Sequence, residues 1–199
     1  MQIFNISITI TFFLLFYVML ELTYRKLKND TEIFRKIAHV LSGTFAIIFS
    51  YLLNKQEFIF TTLIFGLFFL YSHKTKLLKS ISGVQRTTYG ELAYPLALIL
   101  LAAYFYESKH IFIPGILVLA VSDTVASFIG NEFHKKSKSL VGSSGFFLSS
   151  LLIFLYFFNP AHSILLALIL TMVEFISPFG LDNITIPLLY VILIFFLNT

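Results

Sequence analysis

The sequence predicts an all-α protein: a multi-pass transmembrane helix bundle of seven to eight spans, eight being favoured, with the N-terminus outside. Three observations predict it. Of the 199 residues, 58% are hydrophobic and only 12% are charged, and the mean hydropathy is +0.90. Apolar runs recur along the whole chain, and the basic residues concentrate in alternate joints between them. Soluble domains of this size do not normally have such a composition.

The apolar runs define the predicted spans in order. They are 3–22, 34–53, 57–72, 91–106, 111–130, 140–158, 161–177 and 184–197. A helix needs about 20 residues to cross the hydrocarbon core, so the third and fourth runs must include flanking residues or tilt little. We expect the whole chain, 1–199, to form one membrane domain. The chain contains no cysteine, which excludes disulfides and thiolate metal sites.

Charge predicts the orientation of these helices. If successive joints alternate between the two sides, all 14 Lys and Arg residues except Lys55 and Lys109 lie on one side. The positive-inside rule places that side in the cytoplasm and the N-terminus outside. The first run has no basic residue before it and no small-residue cleavage site after it, so we expect it to be a retained anchor.

The segment LAVSDTVASFIG, residues 119–130, places Asp123 inside a predicted membrane helix. Seven residues separate it from Gly130, at the cytoplasmic end, so it lies about 10 Å below that end. A charge at such a depth is costly and usually faces the bundle interior with a partner. Asp123 is therefore either a structural group that bonds neighbours such as Ser127, one turn later, or a functional carboxylate.

The segment KKSKSLVGSSGFF, residues 135–147, precedes the sixth run, whose helix must begin near Leu140 to reach membrane length. Free N–H groups at the start of a helix attract anions, and small residues allow a phosphate to approach closely. The candidate phosphate contacts are Lys138, Ser139, Gly142 and Ser143. The alternative is a basic cytoplasmic loop whose small residues serve helix packing.

The segment VEFISPFGLDNITIPLL carries Glu174 near the end of the seventh run. Asp182 and Asn183 then precede a last run of about 14 residues, which is too short to cross the membrane from interface to interface. If its far end reaches the outer interface, both residues lie as deep as Asp123. The alternative is that one of them simply caps the last helix.

Two further segments add polar residues on the same side. RKIAHVLSG places Arg35 and His39 one turn apart on an otherwise apolar helix, where the histidine needs a partner. RTTYGELAYP brings Arg86 and Glu91 to the head of the fourth helix. For Arg35 and Lys36 we consider both membrane-interface anchoring and phosphate binding.

In this order, the motifs RKIAH, TYGELAYP, SDTVASFIG, KSLVGS and DNITIPL resemble the CTP-dependent lipid and polyprenol kinases. That family includes dolichol kinase, phytol and farnesol kinases, and a CTP-dependent diacylglycerol kinase. The resemblance covers roughly residues 33–190. It implies an enzyme, a multi-pass membrane kinase that transfers the terminal phosphate of a nucleotide, typically CTP, to the hydroxyl of a lipid alcohol. One departure is Val141, because the family commonly has Glu before this glycine.

The resemblance also implies roles for individual residues. The aspartate of the D-x-x-A-x-x-x-G segment falls on Asp123, and the Asp-Asn pair falls on Asp182 and Asn183. The nucleotide-binding lysine and Gly-Ser fall on Lys138, Gly142 and Ser143.

Phosphoryl transfer requires charge neutralisation and positioning more than covalent chemistry. We therefore expect Asp123 and Asp182 to hold Mg²⁺, the predicted cofactor, and to repel each other without it. Lys138 would contact the phosphates, with Arg35 or Arg86 as supplementary anion contacts. His39 or Glu174 would orient or deprotonate the hydroxyl.

The expected partners are a nucleoside triphosphate, a lipid alcohol and membrane lipids, with no nucleic acid. The acceptor is left open among polyprenol or dolichol, phytol or farnesol, and diacylglycerol. Two other functions remain open from the sequence. A CTP-dependent cytidylyltransferase acting on a lipid phosphate would use similar groups, and a non-enzymatic transporter would also bury carboxylates.

Overall fold

The computed structural model describes residues 2–27, 30–83, 88–133 and 138–197, and all regular structure in these ranges is helical. The helices are α1 (Gln2–Leu27), α2 (Thr31–Phe49), α3 (Lys55–Thr75), α4 (Lys79–Ser82), α5 (Gly90–Phe105), α6 (Lys109–Leu117), α7 (Asp123–Phe133), α8 (Leu140–Phe157), α9 (Pro160–Ile176) and α10 (Asp182–Leu197). A π-helical turn, Val118–Ser122, joins α6 to α7. The predicted all-α class is confirmed for the described residues.

Each predicted apolar run coincides with a helix, and the run 111–130 coincides with α6, the π-helical turn and α7 together. Within the described ranges, four helical segments are long and apolar enough to cross a membrane. They are Ile3–Leu27, Lys55–Thr75, Lys109–Gly130 and Leu140–Phe157. Helices α5, α9 and α10 are apolar but shorter. The count of seven or eight spans and the outside N-terminus stay predictions.

Local sequence signals fix several helix boundaries. Helix α8 begins at Leu140, as predicted, because the Ser139 side chain caps it by accepting a bond from the Gly142 N–H at 3.0 Å. Helix α9 begins with Pro160 after an Asn159 cap. The turn between α9 and α10 needs left-handed backbone, which Gly180 supplies at a φ of +75°.

The segment Lys109–Gly130 is the central helix of the bundle. In its apolar window 67% of the residues are buried inside the protein, against 17% for the first helix. Close packing holds α2 against it: a Cβ added at Gly43 would lie 2.6 Å from the Cβ of Ala120 in the π-helical turn. This approach brings the polar face of α2 next to Asp123, the first residue of α7.

Polar contacts join the beginnings of several helices at one end of the bundle, which we call the charged end. The Asn183 side chain of α10 donates to the Gly90 carbonyl of α5 at 3.1 Å. Lys138, just before α8, pairs with Asp182 at the start of α10. Lys36, in the second turn of α2, reaches Asp123. The polar residues singled out in separate sequence segments therefore lie at one end, as the alternation of helices requires.

Because the chain contains no cysteine, single introduced cysteines report the topology directly. Glu107, exposed in the turn after α5, is predicted to lie outside, and Leu77, exposed after α3, is predicted to lie in the cytoplasm. A membrane-impermeant maleimide should label Glu107→Cys in intact cells, and Leu77→Cys only after permeabilisation. The reverse pattern would overturn the predicted orientation.

Candidate active site

A cluster of buried and half-buried ionisable side chains occupies the charged end, and we call it the charged layer. Its members are Lys36, His39, Asp123, Lys138, Glu174 and Asp182. They come from α2, α7, α9, α10 and the residues just before α8. Buried charges in an apolar bundle mark functional sites more often than structural ones, because each needs a specific partner.

Asp123 pairs with Lys36. The Lys36 ammonium lies 2.7 Å from Asp123 Oδ2 and 3.4 Å from the Asp123 carbonyl oxygen. The two side chains are only 5% and 13% exposed, so water solvates neither charge well. Asp123 directly follows the π-helical turn, an irregularity that often accompanies functional sites. The partner that this buried aspartate requires is thus a lysine on α2 rather than Ser127.

This pairing corrects two expectations. Lys36 is not a membrane-interface anchor, since it is 4% exposed and its ammonium is bound to Asp123 in this structure. The expected repulsion between Asp123 and Asp182 without metal is wrong, because each carboxylate has a lysine of its own. One feature of the sequence does point toward this pairing. Lys36 and His39 are three residues apart, so both lie on one face of α2 and can contact the same neighbour.

His39 lies beside this pair. Its Nε2 is 3.0 Å from the Leu119 carbonyl oxygen and 3.8 Å from Asp123 Oδ2, and its ring packs on Tyr94 with a centroid distance of 4.2 Å. A carbonyl oxygen can only accept, so Nε2 carries the donated hydrogen. In the neutral ring Nδ1 is therefore the nitrogen that can accept a proton.

Lys138 organises the second half of the charged layer. Its ammonium lies 2.7 Å from Glu174 Oε1 and 2.8 Å from Asp182 Oδ2, and it also donates to the Glu174 carbonyl oxygen. Ser143 donates to the other oxygen, Glu174 Oε2, at 3.1 Å. Burial alone would lower the pKa of Lys138, but the charges of Asp182 and Glu174 outweigh burial and raise it. Lys138 therefore stays cationic at neutral pH.

The predicted phosphate contacts before and within α8 have two structural roles. Ser139 and Gly142 bond to each other in the helix cap. A Cβ at Gly142 would lie 2.8 Å from the Ala126 carbonyl oxygen, so the glycine packs α8 onto α7. Lys138 and Ser143 both bond to Glu174. Phosphate binding by this set stays a prediction, and Lys138 is its charged member.

Of the two arginines predicted as supplementary anion contacts, the structure describes only Arg35. Arg35 is largely buried and pairs with Glu32 at 2.8 Å on the same helix. Arg86 lies outside the described residues, as do the basic residues Lys28, Lys135 and Lys136 that contributed to the orientation argument.

The oxygen donors of the charged layer fit Mg²⁺ in chemical type. Asp182 and Asn183 adjoin, and Asn183 Oδ1 is buried and has no hydrogen-bond partner among the residues that the structure describes. Each aspartate pairs with a lysine of the charged layer, Asp123 with Lys36 and Asp182 with Lys138. No group of three or more His, Asp or Glu side chains in the described ranges is arranged around a metal position. Mg²⁺ commonly takes only one or two carboxylates and completes its shell with phosphate oxygens and water.

A further ion pair at this end, between a glutamate and a histidine, was not predicted from the sequence. The Glu91 carboxylate, 7% exposed, is hydrogen-bonded to His73 Nδ1 at the end of α3. Glu91, His39 and Arg35 line a pocket at the charged end, which we call the polar pocket. The sequence shows only that a single carboxylate, Glu91, lies in the first turn of the apolar helix α5. Its histidine partner could be identified only from the tertiary structure.

Two known proteins are similar to this chain over most of their lengths. A phytol kinase of Synechocystis is 27% identical over 190 residues, covering 84% of this chain and 80% of the relative. An uncharacterized protein of Methanocaldococcus jannaschii is 28% identical over 160 residues, covering 73% and 82%. The chain matches no family model and no solved structure. The first relative, although distant, supports the lipid kinase character that the motifs indicate.

The Lys36–Asp123 pair makes a stability prediction. Lys36→Met leaves Asp123 buried without its cation, so we expect a loss of about 3–5 kcal/mol of folding free energy. Thermal unfolding of the purified protein in detergent measures it. Arg25→Met is the matched control, because Arg25 is 57% exposed and its partner Glu21 keeps a bond from the Ser80 N–H at 2.9 Å. An equal fall in Tm for both variants would contradict the special position of the buried pair.

Proposed function

We propose that the protein is a membrane lipid kinase. It transfers the terminal phosphate of a nucleoside triphosphate, CTP by resemblance, to the hydroxyl of a lipid alcohol at the cytoplasmic interface. The observation that carries the proposal is the charged layer itself: three buried carboxylates, the buried Lys36 and the half-buried Lys138 at one end of an apolar helix bundle. The similarity to a phytol kinase supports it and makes an isoprenoid alcohol such as phytol the first acceptor to test.

The location of the charged layer suits both substrates. A nucleotide is water-soluble and must arrive from the aqueous side, whereas a lipid alcohol remains in the membrane. A reaction centre at the end of an apolar bundle lies where the two can meet. Positioning and charge neutralisation supply most of the catalysis in phosphoryl transfer, and the charged layer offers groups for both.

The lysines have two successive roles in this proposal. Without nucleotide, Lys36 and Lys138 neutralise the carboxylates and hold them in place. When the nucleotide binds, the ammonium groups turn toward its phosphates. Asp123 and Asp182, with Asn183, would then hold Mg²⁺, which neutralises charge developing on the transferred group when it is bound. Arg35 remains a supplementary anion contact.

His39 is the residue best placed to handle the hydroxyl. It lines the polar pocket, its orientation is fixed by the Leu119 carbonyl and the Tyr94 ring, and Nδ1 can accept a proton. As the alcohol oxygen bonds to the terminal phosphorus, the bond from that phosphorus to the bridging oxygen breaks and the hydroxyl proton passes to His39. Both carboxylate oxygens of Glu174 are already bonded, so we assign Glu174 the positioning of Lys138.

Nucleotide labelled at different phosphates tests the reaction. Purified protein, Mg²⁺ and phytol should give a labelled lipid from γ-labelled CTP and none from α-labelled CTP. Transfer from the α position would indicate a cytidylyltransferase. No transfer to any lipid alcohol from CTP, ATP or UTP would leave a transporter as the better explanation.

The same assay tests Lys138. Lys138→Ala should lower kcat/KM by about 100-fold or more, because it removes a cation that contacts charge in the transition state. Lys74→Ala is the matched control: it removes the same charge from an exposed position at the same end of the bundle. An equal fall in kcat/KM for both variants would show that Lys138 contributes only general electrostatic attraction of the nucleotide, which would contradict its proposed role.

A further inference from the structure

Three neighbouring helices of the bundle are shorter than the membrane is thick. Helices α5, α9 and α10 contain 16, 17 and 16 residues, and α10 packs against the other two. At about 1.5 Å per residue they are about 24–26 Å long, whereas the hydrocarbon core is about 30 Å thick. The central segment Lys109–Gly130, with 22 residues, is about 33 Å long and can cross it.

The ends of these helices opposite the charged end are level with the rest of the bundle. There the Phe195 ring of α10 packs on Phe105 at the end of α5, with a centroid distance of 5.7 Å. Phe158, between α8 and α9, packs on His110 at the start of α6, with a centroid distance of 6.4 Å. The missing length therefore falls at the charged end.

The central segment measures how much is missing. Tyr190 of α10 packs on it, because a Cβ added at Gly115 would lie 2.9 Å from the Tyr190 ring. Asp182 precedes Tyr190 by eight residues, and Asp123 follows Gly115 by eight residues. Both aspartates therefore lie about 12 Å from this contact toward the charged end. The central segment continues for seven more residues to Gly130, about 10 Å beyond the start of α10.

Helices α5 and α9 stop at the same level as α10. The Asn183 side chain of α10 donates to the Gly90 carbonyl of α5 at 3.1 Å, and the Ser177 hydroxyl, just after α9, is hydrogen-bonded to Thr185 of α10 at 2.7 Å. The charged end therefore has a notch. Its floor is the start of α5, the turn 177–181 and the start of α10, and its wall is the end of α7 with the start of α8.

Exposed side chains show where the membrane meets the wall and the floor. On the wall, Phe128 is 48% exposed and Leu140 is 79% exposed, and such side chains favour hydrocarbon over water. On the floor, Phe179 is 61% exposed and Pro178 is exposed, so this turn faces outward. Irregular backbone exposed to lipid does not occur within the hydrocarbon core. The hydrocarbon must therefore reach higher at the wall than at the floor.

We propose that the cytoplasmic leaflet dips by about 10 Å over the floor of the notch, so that phospholipid headgroups and interfacial water reach the level of Asp182. The dip concerns the fit of the protein to the bilayer and goes beyond the proposed function. For the proposed lipid kinase it has one consequence. A hydroxyl held among the headgroups would lie level with the charged layer instead of about 10 Å above it.

Single tryptophans test the dip, because the chain contains none. Phe179→Trp is the floor reporter and Leu140→Trp is the matched wall reporter. Each variant is reconstituted without nucleotide into phosphatidylcholine vesicles whose acyl chains carry bromine at a chosen depth. Fluorescence quenching by bromine gives the distance from the bilayer centre, and quenching by acrylamide gives the access of water. We expect the floor reporter to lie about 10 Å closer to the bilayer centre and still to be quenched by acrylamide.

Three results would overturn the dip. Equal depths of the two reporters would show that the bundle tilts to fit a flat bilayer. A wall reporter quenched by acrylamide and not by bromine would show that α7 and α8 project into water. A deep floor reporter shielded from acrylamide would place the turn in hydrocarbon. Tm values check folding, and Ile176→Trp, at a position 73% exposed at the end of α9, replaces Phe179→Trp if that variant does not fold.

The measurement is independent of phosphoryl transfer. A dip in a protein that transfers no phosphate would overturn the kinase and leave this inference standing. Phosphate transfer by a protein whose reporters show a flat leaflet would support the kinase and overturn the dip.

Discussion

The burial of Lys36 and Asp123 as a pair is the interaction on which the charged end depends. An isolated charge at this depth would cost several kcal/mol, and removing either partner leaves the other uncompensated. A buried pair, however, contributes little more to stability than an apolar pair of similar volume. Stability alone therefore does not explain why one end of a bundle with 58% hydrophobic residues contains it. The proposed binding of a charged nucleotide at this site does.

Packing against the central helix then brings the rest of the site together. The close approach at Gly43 sets α2 beside the π-helical turn, and this placement carries both Lys36 and His39 to Asp123. Helix α8 packs just as closely on α7 through Gly142, which sets Lys138 opposite the start of α10. Gly43 and Gly142 thus allow close helix packing, and this packing in turn positions the charged side chains.

Hydropathy and charge predicted the helices because those signals are local. The eight apolar runs, the start of α8 at Leu140 and the gathering of polar motifs at one end all followed from the printed sequence. The partners within the site did not, since they depend on how each helix is rotated about its axis. The Lys36–Asp123 pair, the packing of His39 on Tyr94 and the Glu91–His73 bond are contacts of this kind. Likewise, only the tertiary structure shows that Lys138 forms ion pairs with both Glu174 and Asp182.

The most direct test of the central claim replaces both members of the buried pair at once. In Lys36→Met combined with Asp123→Leu, two apolar side chains fill the space and leave no unpaired charge, so the Tm should stay near that of the parent protein. If the charged layer is the phosphoryl-transfer centre, transfer of γ-phosphate to a lipid alcohol should fall by about 1000-fold or more in this folded variant. A variant that keeps its Tm and retains transfer within about tenfold of the parent would show that the pair only joins helices, and would contradict the account.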